Sequence, residues 1–212
     1  MTKQLRSVVY MFVISIVFAS LVSAVKTLNE KKILSNQAIK LQRIILKVLD
    51  IPVDKNVSDE IISGLFFERI KDIEVGERTL YVGYAEDGRT IEGYAFPVGG
   101  PGFWGPIQGM VGINPQATKI LGIAFYKHTE TPGLGGRITE DWFSSQFNGL
   151  PLHPIEGEQK IFYLKPAGTG GAPNELDAIT GATNTSSAVE AFLNDELDYF
   201  LKELWANVEE KE

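Results

Sequence analysis

TLYVGYAEDGRTIEGYAFPV, residues 79–98, carries two strands and the turn between them. Leu80, Val82 and Tyr84 alternate with smaller or polar residues, the period of a half-buried strand. Glu86-Asp87-Gly88 is a hairpin turn signal, and Thr90–Val98 returns as a second strand. Further on, Gly99-Gly100-Pro101-Gly102 breaks the pattern and Phe103-Trp104 follows. Ile107–Ile113 and Lys119–Tyr126 then form another hairpin around Asn114-Pro115. The stretch reads as an antiparallel meander. A helix is expected over Thr139–Phe147, a later strand over Ile161–Leu164, and a closing helix over Ser187–Trp205. The closing helix buries Val189, Phe192, Leu193, Leu197, Phe200, Leu201 and Leu204 on one stripe. The predicted class is α+β.

The amino-terminal side has a different texture. Ser7–Val25 contains no charged residue. At about 1.5 Å rise per residue it spans a bilayer core of roughly 30 Å. Lys3 and Arg6 precede it, which favours a cytoplasmic amino terminus and an external remainder; Lys26, Lys31 and Lys32 follow it, so the asymmetry is weak. The rival reading is a cleaved signal peptide, because Val22-Ser23-Ala24 has the form of a signal peptidase site. Helical spacing of apolar residues continues from Ile33 to Leu49, Ile51-Pro52 ends it, and a second short helix is expected over Ser58–Arg69. The predicted division is a tail and transmembrane helix over 1–26, a helical connector over 27–75, and a folded domain over 76–212.

Composition narrows the function. The 212 residues carry a net charge of −7, which argues against a nucleic-acid partner. There is no cysteine, so disulfides, iron–sulfur clusters and thiol catalysis are excluded within the chain. His128 and His153 are the two histidines, too few to suggest a zinc site. A redox role would need an organic cofactor.

Residues 177–183 read Asp-Ala-Ile-Thr-Gly-Ala-Thr, in a hydroxyl-rich stretch that continues through Asn184, Thr185, Ser186 and Ser187. Gly181 permits a tight turn. Ser187 and Glu190 have capping-box spacing, so a helix is expected to begin within this stretch. A helix start offers free N–H groups and partial positive charge, which suits a phosphodiester. Set against this is an ordinary Ser/Thr helix cap, a very common feature. Three glycine-rich loops, Gly99–Gly105, Thr131–Gly136 and Gly168–Gly171, match neither the dinucleotide nor the P-loop fingerprint.

The heptad at 177–183 resembles the acceptor motif at which a flavin transferase attaches FMN to a threonine. The segment His128-Thr129-Glu130-Thr131-Pro132-Gly133-Leu134-Gly135 resembles the signature loop of the FMN-binding domain family. That family includes the G subunit of Rnf-type complexes and the C subunit of the sodium-translocating NADH:quinone oxidoreductase. Gly102-Phe103-Trp104 looks like its glycine–aromatic loop, and Lys165 falls where the family carries a lysine. The resemblance covers the membrane segment and about residues 79–195. It implies a transmembrane helix followed by an FMN-binding domain with an antiparallel sheet and flanking helices. It implies FMN esterified through its phosphate to Thr183, with Gly181 and Ala182 in the same motif. Asp177 and Thr180 would position that hydroxyl or serve the transferase, against a reading as local turn bonding. Glu130, Thr131, Leu134 and Gly135 would lie beside the flavin ring, Trp104 would stack near it or sit in the core, and Lys165 would offset the phosphate charge. It also implies partner subunits of a membrane electron-transfer complex, a flavin transferase for maturation, and a domain outside the inner membrane. Trp104 and Gly135-Gly136 look more like the quinone-reductase C subunit. The short chain and Gly109-Met110-Val111-Gly112-Ile113 look more like the Rnf G subunit, toward which the expectation leans. The competing classes are a membrane-anchored structural or binding module without cofactor, and a free-standing flavoprotein reductase. The lack of a nicotinamide-binding motif argues against the latter.

Overall fold

The computed structural model describes residues 3–54, 56–155 and 157–205. The chain forms two compact units, Met1–Leu41 and Gln42–Glu212. Helix α1 spans Lys3–Val48 without interruption. The sequence reading separated an anchor from a following helix; no glycine or proline lies between them to end the first. The segment Gln4–Val48 contains a window of mean hydropathy 2.5, none of it buried, and is long and apolar enough to cross a membrane. Helix α1 ends where Asp50 takes φ +57° and the Ile51 N–H bonds back to the Leu46 carbonyl at 3.0 Å.

In the second unit, α2 (Asp59–Arg69) leads into a five-stranded antiparallel meander in the order β1-β2-β3-β4-β5. The strands are β1 Ile70–Val75, β2 Arg78–Tyr84, β3 Ile91–Pro101, β4 Pro106–Ile113 and β5 Ile120–Lys127. The meander and both sequence-predicted hairpins are present. Strand β1 falls inside the 27–75 segment, where only helices were expected. It is an edge strand whose four central residues, Lys71–Glu74, are exposed, so it carries no apolar alternation to read. Its place is set by pairing along its whole length with β2, from Ile70↔Gly83 to Val75↔Arg78.

The Gly99–Gly102 stretch does not end β3. The strand continues to Pro101, paired with Pro106, and the turn closes from the Gly102 N–H to the Gly105 carbonyl at 2.9 Å. Gly100 is bare because a Cβ there would sit 2.5 Å from Phe192 Cγ on the closing helix, α4 (Thr183–Tyr199). Here glycine makes a helix-packing surface inside a strand.

Each face of the sheet is covered. On one, Tyr94, Phe96, Val111, Ile113 and Phe125 join Val189, Leu193, Leu197 and Phe200 in the main core. Phe96 and Phe200 stack at 4.4 Å and 11° there, a contact worth about 1 kcal/mol beyond its buried area. The pleat turns Gly93 and Gly112 to the other face. There Leu49 lies against Gly83 and Gly93, and the Val48 backbone against Gly112 and Gly122. Gly112 and Gly122 are register partners on β4 and β5, so together they form a notch.

After the sheet, the helix expected over Thr139–Phe147 is a 3₁₀ turn, Gly135–Thr139, followed by α3, Asp141–Ser145. The short strand β6 (Tyr163–Lys165) pairs in parallel with β7 (Glu175–Asp177), which the sequence reading did not find. Helix α4 begins at Thr183, four residues before Ser187. The Ser187/Glu190 capping box does not form, because the Glu190 carboxylate is taken by the Leu164 N–H and by Lys160, both at 2.6 Å.

Candidate functional site

Three segments meet at a cleft of about 370 Å³: the β3–β4 turn, the loop after β5, and the first turn of α4. Its lining includes Phe103, Trp104, Glu130, Thr131, Leu134 and Thr183. The remaining lining residues are Gly135, Gly181, Ala182, Asn184 and Thr185. This volume falls in the range of about 300–1,000 Å³ usual for small-molecule sites.

Each wall has a local cause. Gly181 takes φ +78°, which turns the chain sharply before α4. Ala182 is the N-cap, with no side-chain cap, so the first-turn N–H groups have no intrahelical partner at the cleft. Below them, the Ile179 N–H is taken by Ser186 Oγ at 3.1 Å, which ties the turn to the helix. Thr183 is exposed, while Thr185 is buried at 3 %. The apolar surfaces are open: Phe103 is 51 % exposed, Trp104 67 % and Leu134 45 %. Trp104 is therefore not a core residue; it meets Phe103 edge-on at 4.9 Å.

Glu130 is a buried carboxyl in the cleft wall, 3 % exposed. Its Oε1 accepts from the Trp104 N–H at 3.0 Å and its Oε2 from Thr185 Oγ1 at 2.6 Å. The glycines of the signature loops make room for it. A Cβ on Gly102 would lie 2.6 Å from Glu130 Oε1, and one on Gly135 would lie 2.8 Å from Oε2 and overlap Thr185 Oγ1. His128 is structural, its Nδ1 accepting from the Glu130 N–H at 3.2 Å.

The structure thus brings together Thr183, Gly181, Ala182, Glu130, Thr131, Leu134, Gly135 and Trp104. It does not bring Thr180, Asp177 or Lys165 into the lining. Thr180 is exposed on the adjoining turn. Asp177 Oδ1 accepts from the Gly168 N–H at 2.7 Å, and its backbone exchanges two hydrogen bonds with the Gln146 side chain. Lys165 pairs with Glu175 at 3.6 Å and lies over the Tyr163 ring. The N–H groups of Gly171 and Ala172 hold the Glu175 carboxyl below its ordinary range, with Lys165 adding to the effect. The third glycine-rich loop therefore wraps the protein's own carboxylates. Phe103, Asn184 and Thr185 were missed as lining residues. Hydroxyl richness marked the stretch holding Thr185, but no local signal pairs it with a carboxylate 55 positions earlier.

Residues 102–198 match the FMN-binding domain family. This region is similar to FMN-binding domains. Similar proteins include the C subunit of the Na(+)-translocating NADH-quinone reductase of Yersinia pestis, 33% identical over 108 residues, 51% of this chain and 41% of that protein. The same subunit of Pseudomonas aeruginosa is 29% identical over 145 residues, 65% of this chain and 56% of that protein. The matches thus span about half the length of these curated relatives. A crystal structure of the corresponding C subunit from Parabacteroides distasonis superposes with a TM-score of 0.66 at 26% identity, covering 80% of this chain and 94% of that one. Shewanella oneidensis NqrC, at 20% identity and a TM-score of 0.64, shares the fold. These comparisons favour the quinone-reductase C subunit over the Rnf G subunit toward which the sequence reading leaned. The 109–113 segment, which with the short chain prompted that lean, has a packing explanation, since Gly112 is bare to admit the Val48 backbone.

The cleft fits a flat ring carrying an anion. Apolar side chains stand open on it, and an uncapped helix start lies beside the exposed Thr183 hydroxyl.

Proposed function

We propose that this chain is the FMN-carrying subunit of a membrane-bound, ion-translocating oxidoreductase, of the same kind as the C subunit of the Na(+)-translocating NADH-quinone reductase. FMN is held by a phosphoester to Thr183 Oγ. The observation that carries this reading is the position of Thr183, exposed as the first residue of an uncapped helix and lining the cleft. Thr183 acts as the substrate of a separate flavin transferase. Its oxygen attacks the FMN phosphorus of FAD, the pyrophosphate bond breaks with AMP leaving, and the hydroxyl proton passes to the transferase. Once attached, the flavin supplies the electron-transfer chemistry. The first-turn N–H groups of α4 then face an anion, a favourable placement at a helix start. Leu134, Phe103 and Trp104, which stand open at the cleft, would offer the ring apolar contact. Thr131 or a backbone N–H offers a polar contact at the ring edge. Asp177 and Thr180 shape the turn that presents Thr183, and Lys165 contributes at longer range to the charge around it.

Peptide mass spectrometry of the chain from a host with the transferase should find one FMN adduct, on the peptide containing Thr183. An unmodified peptide from such a host overturns the attachment. Leu134→Asp should keep the adduct and shift the flavin spectrum. It should also make the flavin harder to reduce, because a negative charge beside the ring opposes electron entry by on the order of 1 kcal/mol. Unchanged spectrum and potential would remove the 130–135 loop from the ring site.

The Gln4–Val48 helix supports an inner-membrane, single-pass assignment within the bilayer, with Arg6 inside and Thr183 outside. An external flavin receives electrons through neighbouring membrane subunits, with which the chain should copurify. Protease added to sealed spheroplasts should digest the 42–212 unit; protection until lysis reverses the orientation. The acidic composition continues to argue against a nucleic-acid partner.

A further inference from the structure

Glu130 sits in the cleft wall with both carboxylate oxygens engaged by different segments. Oε1 holds the backbone of the β3–β4 turn at Trp104, and Oε2 holds the first turn of α4 at Thr185. Thr185 lies two residues beyond Thr183 in that turn, so whatever fixes Thr185 also fixes the direction in which Thr183 is presented. Gly102 and Gly135 are packed against this same carboxylate, so the loops can close on it only as glycines.

We propose that Glu130 and Thr185 form a positioning latch that clamps the start of α4 to the Phe103-Trp104 turn, setting the cleft and the presentation of Thr183 to the flavin transferase. The latch acts through Trp104 and Thr185, and both of its oxygens are committed before any flavin arrives. Its role in flavin attachment rests on the assignment of Thr183 above; its role in holding the turn does not.

The test uses the full-length chain in detergent, with Thr185→Val, which removes the hydroxyl at nearly constant volume, and Thr185→Ser, which retains it. Amide exchange at Trp104 is read in the unflavinylated protein, and attachment is read by in-gel flavin fluorescence under limiting transferase. Thr185→Val should raise exchange of the 102–106 segment and slow attachment, each by about tenfold, the factor carried by one lost buried hydrogen bond. Thr185→Ser should restore both. A thermal melt checks folding; if valine crowds the site, Thr185→Ala removes the hydroxyl without the bulk. Wild-type exchange and attachment in a folded Thr185→Val protein would overturn the latch, as would equal defects in valine and serine variants. If exchange responds as expected while no form is ever flavinylated, the latch stands and the assignment of Thr183 falls.

Discussion

Thr183→Ala should give a folded protein with no covalent flavin. Thr183 is the first residue of α4 but not its cap, a position held by Ala182. Its side chain is exposed and lies outside the main core. A surface change of this kind costs at most about 0.5 kcal/mol, so the melting temperature should hardly move. The adduct should fall from one per chain to none, because the proposed bond is made through the Thr183 hydroxyl oxygen. Thr183→Ser keeps that oxygen and should retain part of the attachment. The measurement is flavin fluorescence of the denatured chain in a gel, where only covalent cofactor survives. A fluorescent band of undiminished strength from Thr183→Ala would place the bond elsewhere and undo the reading of the 177–183 heptad.

The second large effect is structural. Gly112→Ala should destabilise the 42–212 unit by about 2 kcal/mol or more, against a typical total of roughly 5–15 kcal/mol. A Cβ at 112 would overlap the Val48 carbonyl oxygen and lie 2.5 Å from its carbon. Both are backbone atoms, so no rotamer relieves the clash, and the end of α1 must lift off the sheet. Gly64 on α2 is the control. Nothing lies within 4 Å of a Cβ there, and Gly64→Ala should stabilise by roughly 0.5–1 kcal/mol through helix propensity. Chemical denaturation of the two variants should move the midpoint in opposite directions. A Gly112→Ala midpoint equal to wild type would mean that the end of α1 does not seat in the Gly112/Gly122 notch.

The two effects differ in how legible they were. Leu80, Val82 and Tyr84, Ile107–Ile113, and the stripe from Val189 to Leu204 carry their periods within a few residues, because a strand or helix repeats every two or about 3.6 positions. The meander and the closing helix could therefore be read directly. Strand β1 could not, since its exposed edge has no apolar period and its pairing partner supplies the register. The Gly99-Gly100 pair was misread because glycine signals a turn locally, whereas Gly100 is bare to admit Phe192 from a helix far along the chain.

The candidate site divides along the same line. Thr183, the glycine turn before it and the Glu130–Gly135 loop are contiguous motifs, and their resemblance to a known family was enough to single them out. Which members share a cleft depended on chain crossings: Thr183 and Leu134 meet there, while Lys165 and Asp177 are drawn to Glu175 and the Gly168 N–H. The same holds for Thr185, whose hydroxyl gains its role from a carboxylate brought beside it by the return of α4 across the sheet. Periodicity and turn chemistry are properties of neighbouring residues and survive in the linear chain. A hydrogen bond between distant segments, or the room left by a missing Cβ, comes into being when the backbone closes on itself.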